Sequence, residues 1–248
     1  MPLFLSAGLT IALVFLAQRL SLGRPTMKFP AFRNRVEAGR QLAHRLEHYA
    51  RHSNGIVLAL PRGGVPIGAE IARYLHLPLE VLVVRKLGVP RQPELAMGAI
   101  GGGEVVLWQA LINALGITDE EIRAVIARER QEVDRREQRY RAGRPPLALH
   151  NRVVILTDDG VATGATMLVA VRVVRRHQPE RIVVAAPVIA LESLATLRQE
   201  ADEVVYLVAP LELDGIGLWY EDFRQLTDEE VLKTLECLGD RDSPVEQG

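Results

Sequence analysis

Short, almost purely apolar runs punctuate this chain, and between most of them the apolar residues recur every three or four positions. The runs IVLALP (Ile56 to Pro61), LEVLVV (Leu79 to Val84), VVIL (Val153 to Leu156), RIVVAAPVI (Arg181 to Ile189) and EVVYLVA (Glu203 to Ala209) predict strands buried on both faces. Helical spacing predicts helices over about Phe32 to Tyr49, Ile67 to Leu75, Thr118 to Arg141, Thr166 to His177 and Leu191 to Glu200. AMGAI and EVVLW, separated by Gly101, Gly102 and Gly103, predict a hairpin, and the breaker-rich RKLGVPRQPE predicts a loop after the second strand. Short strands alternating with helices imply an α/β fold, an open, mainly parallel sheet with helices on both faces, carrying an inserted hairpin and long helix. Along that long helix the apolar residues Ile122, Val125, Ile126 and Val133 thin out. Charges such as Arg128 with Glu132, and Glu132 with Arg136, are spaced i,i+4 and predict a solvated face, not a binding site.

The amino-terminal pattern differs. Leu3 to Ala17 is nearly continuously apolar, but a spanning helix wants about 20 such residues, and this run soon meets Gln18 and Arg19. No basic residue precedes it and no small-x-small cleavage site follows, so it makes a poor signal peptide. Met27 opens a polar segment that can start a soluble domain. The expected division is an apolar extension over residues 1–26 and a domain over 27–248. A segment dispensable to the fold, a membrane anchor and a helix packed on the domain all stay open. Membrane contact is expected only through residues 3–20.

Composition narrows the classes. With 48% hydrophobic and 25% charged residues in 248, the chain is an ordinary globular one. A net charge of −1 supplies no basic face for nucleic acid. The single cysteine, Cys237, excludes an internal disulfide framework and a Cys-rich zinc site, and it fits a reducing, cytoplasmic setting. HRLEH (His44 to His48) fits the H-x-x-E-H pattern of an inverted zinc peptidase, with His52 one turn on. A pattern with two free positions arises easily by chance, and this segment reads as an exposed amphipathic helix. Lysine is scarce, with Lys28, Lys86 and Lys233 against 27 arginines, so a lysine carries more information here than an arginine.

The richest stretch is VVILTDDGVATGATM. Asp158 and Asp159 follow an apolar strand, where ligands bind in open α/β sheets. Val161, Ala162, Thr163, Gly164, Ala165 and Thr166 then lead into a helix. Its first N–H groups lack internal partners and favour a phosphate. Carboxylates repel phosphate, so the acids should face another part of the same ligand. A ribose diol suits them, and phosphate beside a diol describes a sugar phosphate. A Walker-type loop would need a lysine that this stretch lacks. A receiver domain would need an Asp and a Lys ending later strands, and those strands end in AAPVI and YLVAP. An acidic turn that merely caps a helix is the bland alternative.

This stretch resembles the phosphoribosyl-pyrophosphate signature of the type I phosphoribosyltransferases: a hydrophobic strand, two acids, then x-x-T-G-x-T. Gly160 departs from the larger apolar residue usual after the acids. The blocks PRGG, RKLG, ELAMGAI and WYEDF resemble a little-characterised branch of that family. The resemblance implies transfer of phosphoribose from phosphoribosyl pyrophosphate to a nitrogenous base, with Mg²⁺ carried by the substrate and not by a direct protein ligand, Asp158 and Asp159 being the candidates if the protein supplies one. It implies a pyrophosphate loop at Arg62, Gly63 and Gly64, and leaving-group cations at Arg85 and Lys86. GLWYEDFRQ is the expected base-facing element. There Trp219, Tyr220 and Phe223 either stack on a heterocycle or seal the sheet edge, and Asp222 or Glu221 reads the base. Ala162 stands where the family's 6-oxopurine enzymes usually carry an acid, as in its adenine and uracil enzymes. Such enzymes often form homodimers. A sensor of phosphoribosyl pyrophosphate or nucleotide on the same fold is the alternative function.

Overall fold

The computed structural model describes residues 31–141 and 144–239. The runs of Val, Ile and Leu form the centre of a five-stranded parallel sheet: β1 (Gly55–Ala59), β2 (Leu79–Val81), β6 (Val153–Thr157), β7 (Arg181–Val188) and β8 (Glu203–Val208), in the order β2-β1-β6-β7-β8. Register runs straight across the centre, with Val57 beside Ile155 and Ile155 beside Val183. Alternate residues therefore enter two cores. Val57, Ala59, Val153, Ile155, Val183 and Ala185 meet α1 (Arg35–Arg45) and α2 (Gly64–Leu75) on one face. Ile56, Leu58, Val154, Leu156, Ile182 and Val184 meet α5 (Ala165–Arg176) and α6 (Leu191–Glu200) on the other. Burial on both faces is why these strands lack a polar alternation.

Between β2 and β6 lies the insertion: β3 (Val84–Val89), β4 (Gln92–Gly101), β5 (Glu104–Leu107), α3 (Gln109–Leu115) and α4 (Asp119–Arg141). The three strands form an antiparallel sheet in chain order. Thr118 and Glu121 start α4 by a reciprocal cap, each side chain accepting from the other's backbone N–H at 3.2 and 3.0 Å.

Here the structure corrects the expected elements. Leu79 to Val84 is not one strand: β2 ends at Val81, and Val84 starts a strand of the second sheet. RKLGV is β3, not loop. The breakers that suggested a loop sit where pairing shifts register, on either side of Gly88, and at the turn into β4. A Cβ on Gly88 would lie 2.6 Å from the Pro93 carbonyl oxygen, so the strands approach closely there. The carboxy-terminal helix, α7 (Asp228–Gly239), adds Val231 and Leu235 to the first core. Among the described residues no helix is long and apolar enough to cross a membrane. The apolar extension over residues 1–26 lies outside the described residues.

Candidate active site

Two turns at the carboxyl ends of neighbouring strands are nested together. After β1 the chain turns through Pro61, Arg62 and Gly63 into α2, with a cis peptide between Pro61 and Arg62. After β6 it passes through Asp158 and Asp159. Leu60 donates its N–H to the Thr157 carbonyl at 2.9 Å, tying the turns at their base. A Cβ on Gly63 would lie 2.0 Å from Asp159 Oδ2, and one on Gly64 would lie 2.6 Å from the Thr157 carbonyl oxygen. Glycine at both positions is what lets the loop expected to hold pyrophosphate lie against the acids.

The two acids have unequal surroundings. Asp159 is buried, and the Arg35 guanidinium donates to its Oδ2 at 2.7 Å. Arg35 lies 3.9 Å from the centre of the Phe223 ring and also donates to the Arg224 carbonyl at 3.0 Å. Tyr220 donates its hydroxyl to the Asp159 carbonyl at 2.6 Å. Asp158 accepts from the Asp159 N–H at 2.8 Å and has no ion pair among the described residues. Burial and the neighbouring Asp159 charge hold the Asp158 carboxyl well above the ordinary range. Burial also raises Asp159, with Arg35 opposing.

The segment from Val161 to Thr166 is anchored on both sides. Val161 donates to the Val188 carbonyl and accepts from the Ala190 N–H, each at 2.8 Å. Ser193 of α6 donates to the Ala162 carbonyl at 2.6 Å. Gly164, at φ 75°, adopts the left-handed turn that opens α5. Thr163, Ala165 and Thr166 are exposed, so the first turn of α5 faces a cleft of about 210 Å³ shared with Asp158, Asp159 and Ile216. A helix start with open N–H groups is a suitable phosphate cradle.

A second cleft, of about 480 Å³, shares Ala165 and Thr166 with the first and continues past Pro61 to Arg85 and Lys86. The long helix α4 also borders this cleft. Arg85 donates to Glu129 Oε2 at 2.9 Å, and Arg128 donates to Glu129 Oε1 at 3.0 Å. Arg128, Glu129 and Arg136 line the cleft, which corrects the expectation of a wholly solvated charged face. Arg136 does pair with Glu132 at i,i+4, but Arg128 turns to Glu129 instead. One sign of this was readable: Glu129 falls in register with Ile122, Val125 and Val133, an acid on an apolar stripe. Arg62 instead points toward Asp228 of α7, at 3.9 Å.

Two of the expected base-facing residues, Trp219 and Tyr220, are buried, whereas Asp222 is exposed and Phe223 is half-buried. Trp219 and Tyr220 are only 4% and 5% exposed. Tyr220 packs between Phe32 and Phe223, with ring centres 5.4 and 5.0 Å away. Asp222 accepts from the Arg224 N–H at 3.2 Å. Just before this segment, Ile216 reaches the cleft and fills the space left by Gly160: a Cβ there would lie 2.5 Å from Ile216 Cγ2. The H-x-x-E-H residues do not converge. α1 ends at Arg45, His44 contacts the Tyr74 hydroxyl at 3.0 Å, and His48 faces Glu203 at 3.6 Å. No three or more potential metal ligands gather among the described residues.

A five-stranded parallel sheet with a small antiparallel insertion and paired turns at its strand ends defines a domain of the type I phosphoribosyltransferase architecture. The chain belongs to the phosphoribosyl transferase domain family, whose model matches residues 31–208. It is 43% identical over 206 residues to a provisionally named phosphoribosyl transferase of Mycobacterium tuberculosis strain H37Rv, covering 83% of this chain. The chain spans about half the length of that relative, 46%. The crystal structure of TT1426 from Thermus thermophilus is similar at a TM-score of 0.76 and 42% identity, over 84% of this chain and 98% of that one.

Proposed function

We propose that this protein binds phosphoribosyl pyrophosphate and transfers phosphoribose to a nitrogenous base, releasing pyrophosphate. The observation that carries this reading is the nesting of the two turns, with the Gly63 backbone against the Asp159 carboxylate. Two phosphate-suited loops thereby flank one acidic centre, as a ligand with a phosphate at each end of a ribose requires. Val161 to Thr166 hold the 5′-phosphate, and Asp158 accepts from the ribose hydroxyls. Arg62, Gly63, Gly64, Arg85 and Lys86 receive the diphosphate. As the base nitrogen attacks the anomeric carbon, the C–O bond to pyrophosphate breaks and the leaving oxygens gather charge beside the cations. Asp158 offsets the positive charge developing on the ribose.

The donor set fits Mg²⁺ brought by the substrate. Asp158, which lines the cleft without an ion-pair partner among the described residues, would be the side chain to hold it, the other oxygens coming from the substrate. Such an ion, when bound, neutralises leaving-group charge.

A second reading, a sensor of phosphoribosyl pyrophosphate or nucleotide without turnover, draws on the Arg85–Glu129 ion pair, which already occupies an expected leaving-group cation. The deciding experiment measures pyrophosphate release with Mg²⁺ across adenine, uracil, hypoxanthine and other bases, alongside calorimetric binding of phosphoribosyl pyrophosphate. Release with any base supports the transferase. Binding without release on the whole panel supports the sensor, and absence of binding rejects both.

A further inference from the structure

The two clefts that meet at Ala165 and Thr166 are lined by opposite kinds of ionisable side chain. The one around residues 158–167 is lined by Asp158 and Asp159 and by no cation among the described residues. Its neighbour is lined by four cations, Arg85, Lys86, Arg128 and Arg136, and by one carboxylate, Glu129. Half of those cations come from α4, a helix far along the chain from the Arg62–Gly64 turn and from β3, the segments already assigned to pyrophosphate. Glu129 shows that the arrangement is built. Its side chain is 9% exposed, and its two oxygens separately accept from Arg85 and Arg128. A carboxylate buried on an apolar stripe is costly unless charged partners satisfy it. Here it holds two like-charged guanidiniums together on one wall.

Resting on the phosphoribosyl-pyrophosphate reading above, we infer that Arg128 and Arg136 of α4 bind the diphosphate of the substrate, and that Glu129 is a positioning residue aiming Arg85 and Arg128 at it. The long helix is then one wall of the leaving-group site. A guanidinium fork suits phosphate oxygens better than a point charge does. Arg136 is shared with Glu132 at 2.6 Å, so diphosphate would compete for a cation already at the wall.

The test is calorimetry of inorganic pyrophosphate and of ribose 5-phosphate, each with Mg²⁺, on the full chain and on Arg128→Ala, Arg136→Ala and Glu129→Gln. Arg128 is 67% exposed along its side chain, so its truncation leaves the core intact. Each arginine variant is expected to weaken pyrophosphate about tenfold, the loss of roughly one charge-assisted hydrogen bond. Ribose 5-phosphate should stay within about twofold, because the loop that holds it is untouched. Glu129→Gln should weaken pyrophosphate severalfold and leave ribose 5-phosphate unchanged, whereas general loosening would shift both. Wild-type affinity for pyrophosphate in both arginine variants overturns the inference and leaves the transferase reading standing. Wild-type protein that binds neither ligand removes that reading, and this inference with it.

Discussion

Arg35 Nε donates to Asp159 Oδ2 across 2.7 Å, linking the first turn of α1 to an acid 124 residues further along the chain. The adjacent acids are therefore not equivalent. Asp159 is held from behind by a cation that itself rests on Phe223, while Asp158 has no ion-pair partner among the described residues. Breaking such a buried pair from one side strands the other charge, at about 3–5 kcal/mol. Arg35→Met is expected to lower stability by that order in urea denaturation. Adding Asp159→Asn should recover part of the loss. Strictly additive losses would show that the two side chains are not coupled.

The pH dependence of stability should separate two carboxylates with opposite sign. Asp158 is raised in the folded state, so folding favours its protonated form. Its favourable contribution is complete below the unfolded pKa and is lost as pH rises through the folded value. Asp158→Asn should therefore raise the thermal midpoint of ligand-free protein at neutral pH, with the gain vanishing as pH falls to the ordinary carboxylate range. Burial pushes Glu129 up, but the Arg85 and Arg128 guanidiniums outweigh it and leave it lowered. Its contribution is present above the unfolded pKa and lost as pH falls through the folded one. Glu129→Gln should accordingly destabilise at neutral pH and converge on wild type in acid. Thermal melts of both variants between pH 3 and 8 check the signs.

Ile216 and Gly160 occupy one space between them. Gly160→Ala places a methyl 2.5 Å from Ile216 Cγ2, and overpacking of this kind costs about 1–3 kcal/mol. Ile216→Ala in the same chain should relieve most of that strain. A double-mutant cycle by denaturant titration measures the coupling, and equal loss from Gly160→Ala in both backgrounds would disprove the contact.

Several features were legible without any structure because each is a local property. Unbroken Val/Ile runs encode central parallel strands, so β1, β6 and β7 could be read directly, and the same pattern gave β8, which lies half-buried at the sheet edge and not covered on both faces as expected. Helical spacing from Thr118 marked α4 in the same way, and the structure adds the reciprocal Thr118–Glu121 cap that starts it. Spacing around Asp158 and Asp159 placed acids and a phosphate-suited loop at the end of one strand. The family match followed from the same stretch.

Other features needed the fold, because they depend on residues far apart in sequence meeting in register. RKLGV looked like a loop by composition, yet pairing with β4 makes it a strand, with glycine and proline absorbed into a bulge and a turn. The aromatics of WYEDF could stack on a ligand or seal the sheet edge; Trp219 and Tyr220 are buried, and Tyr220 supports the backbone of Asp159. Nothing local to Asp159 announces Arg35, and nothing local to Arg85 announces Glu129. Chain spacing determined which residues could carry the chemistry of this protein. Tertiary packing decided which charges already neutralise one another, because that depends on which distant side chains burial forces into contact.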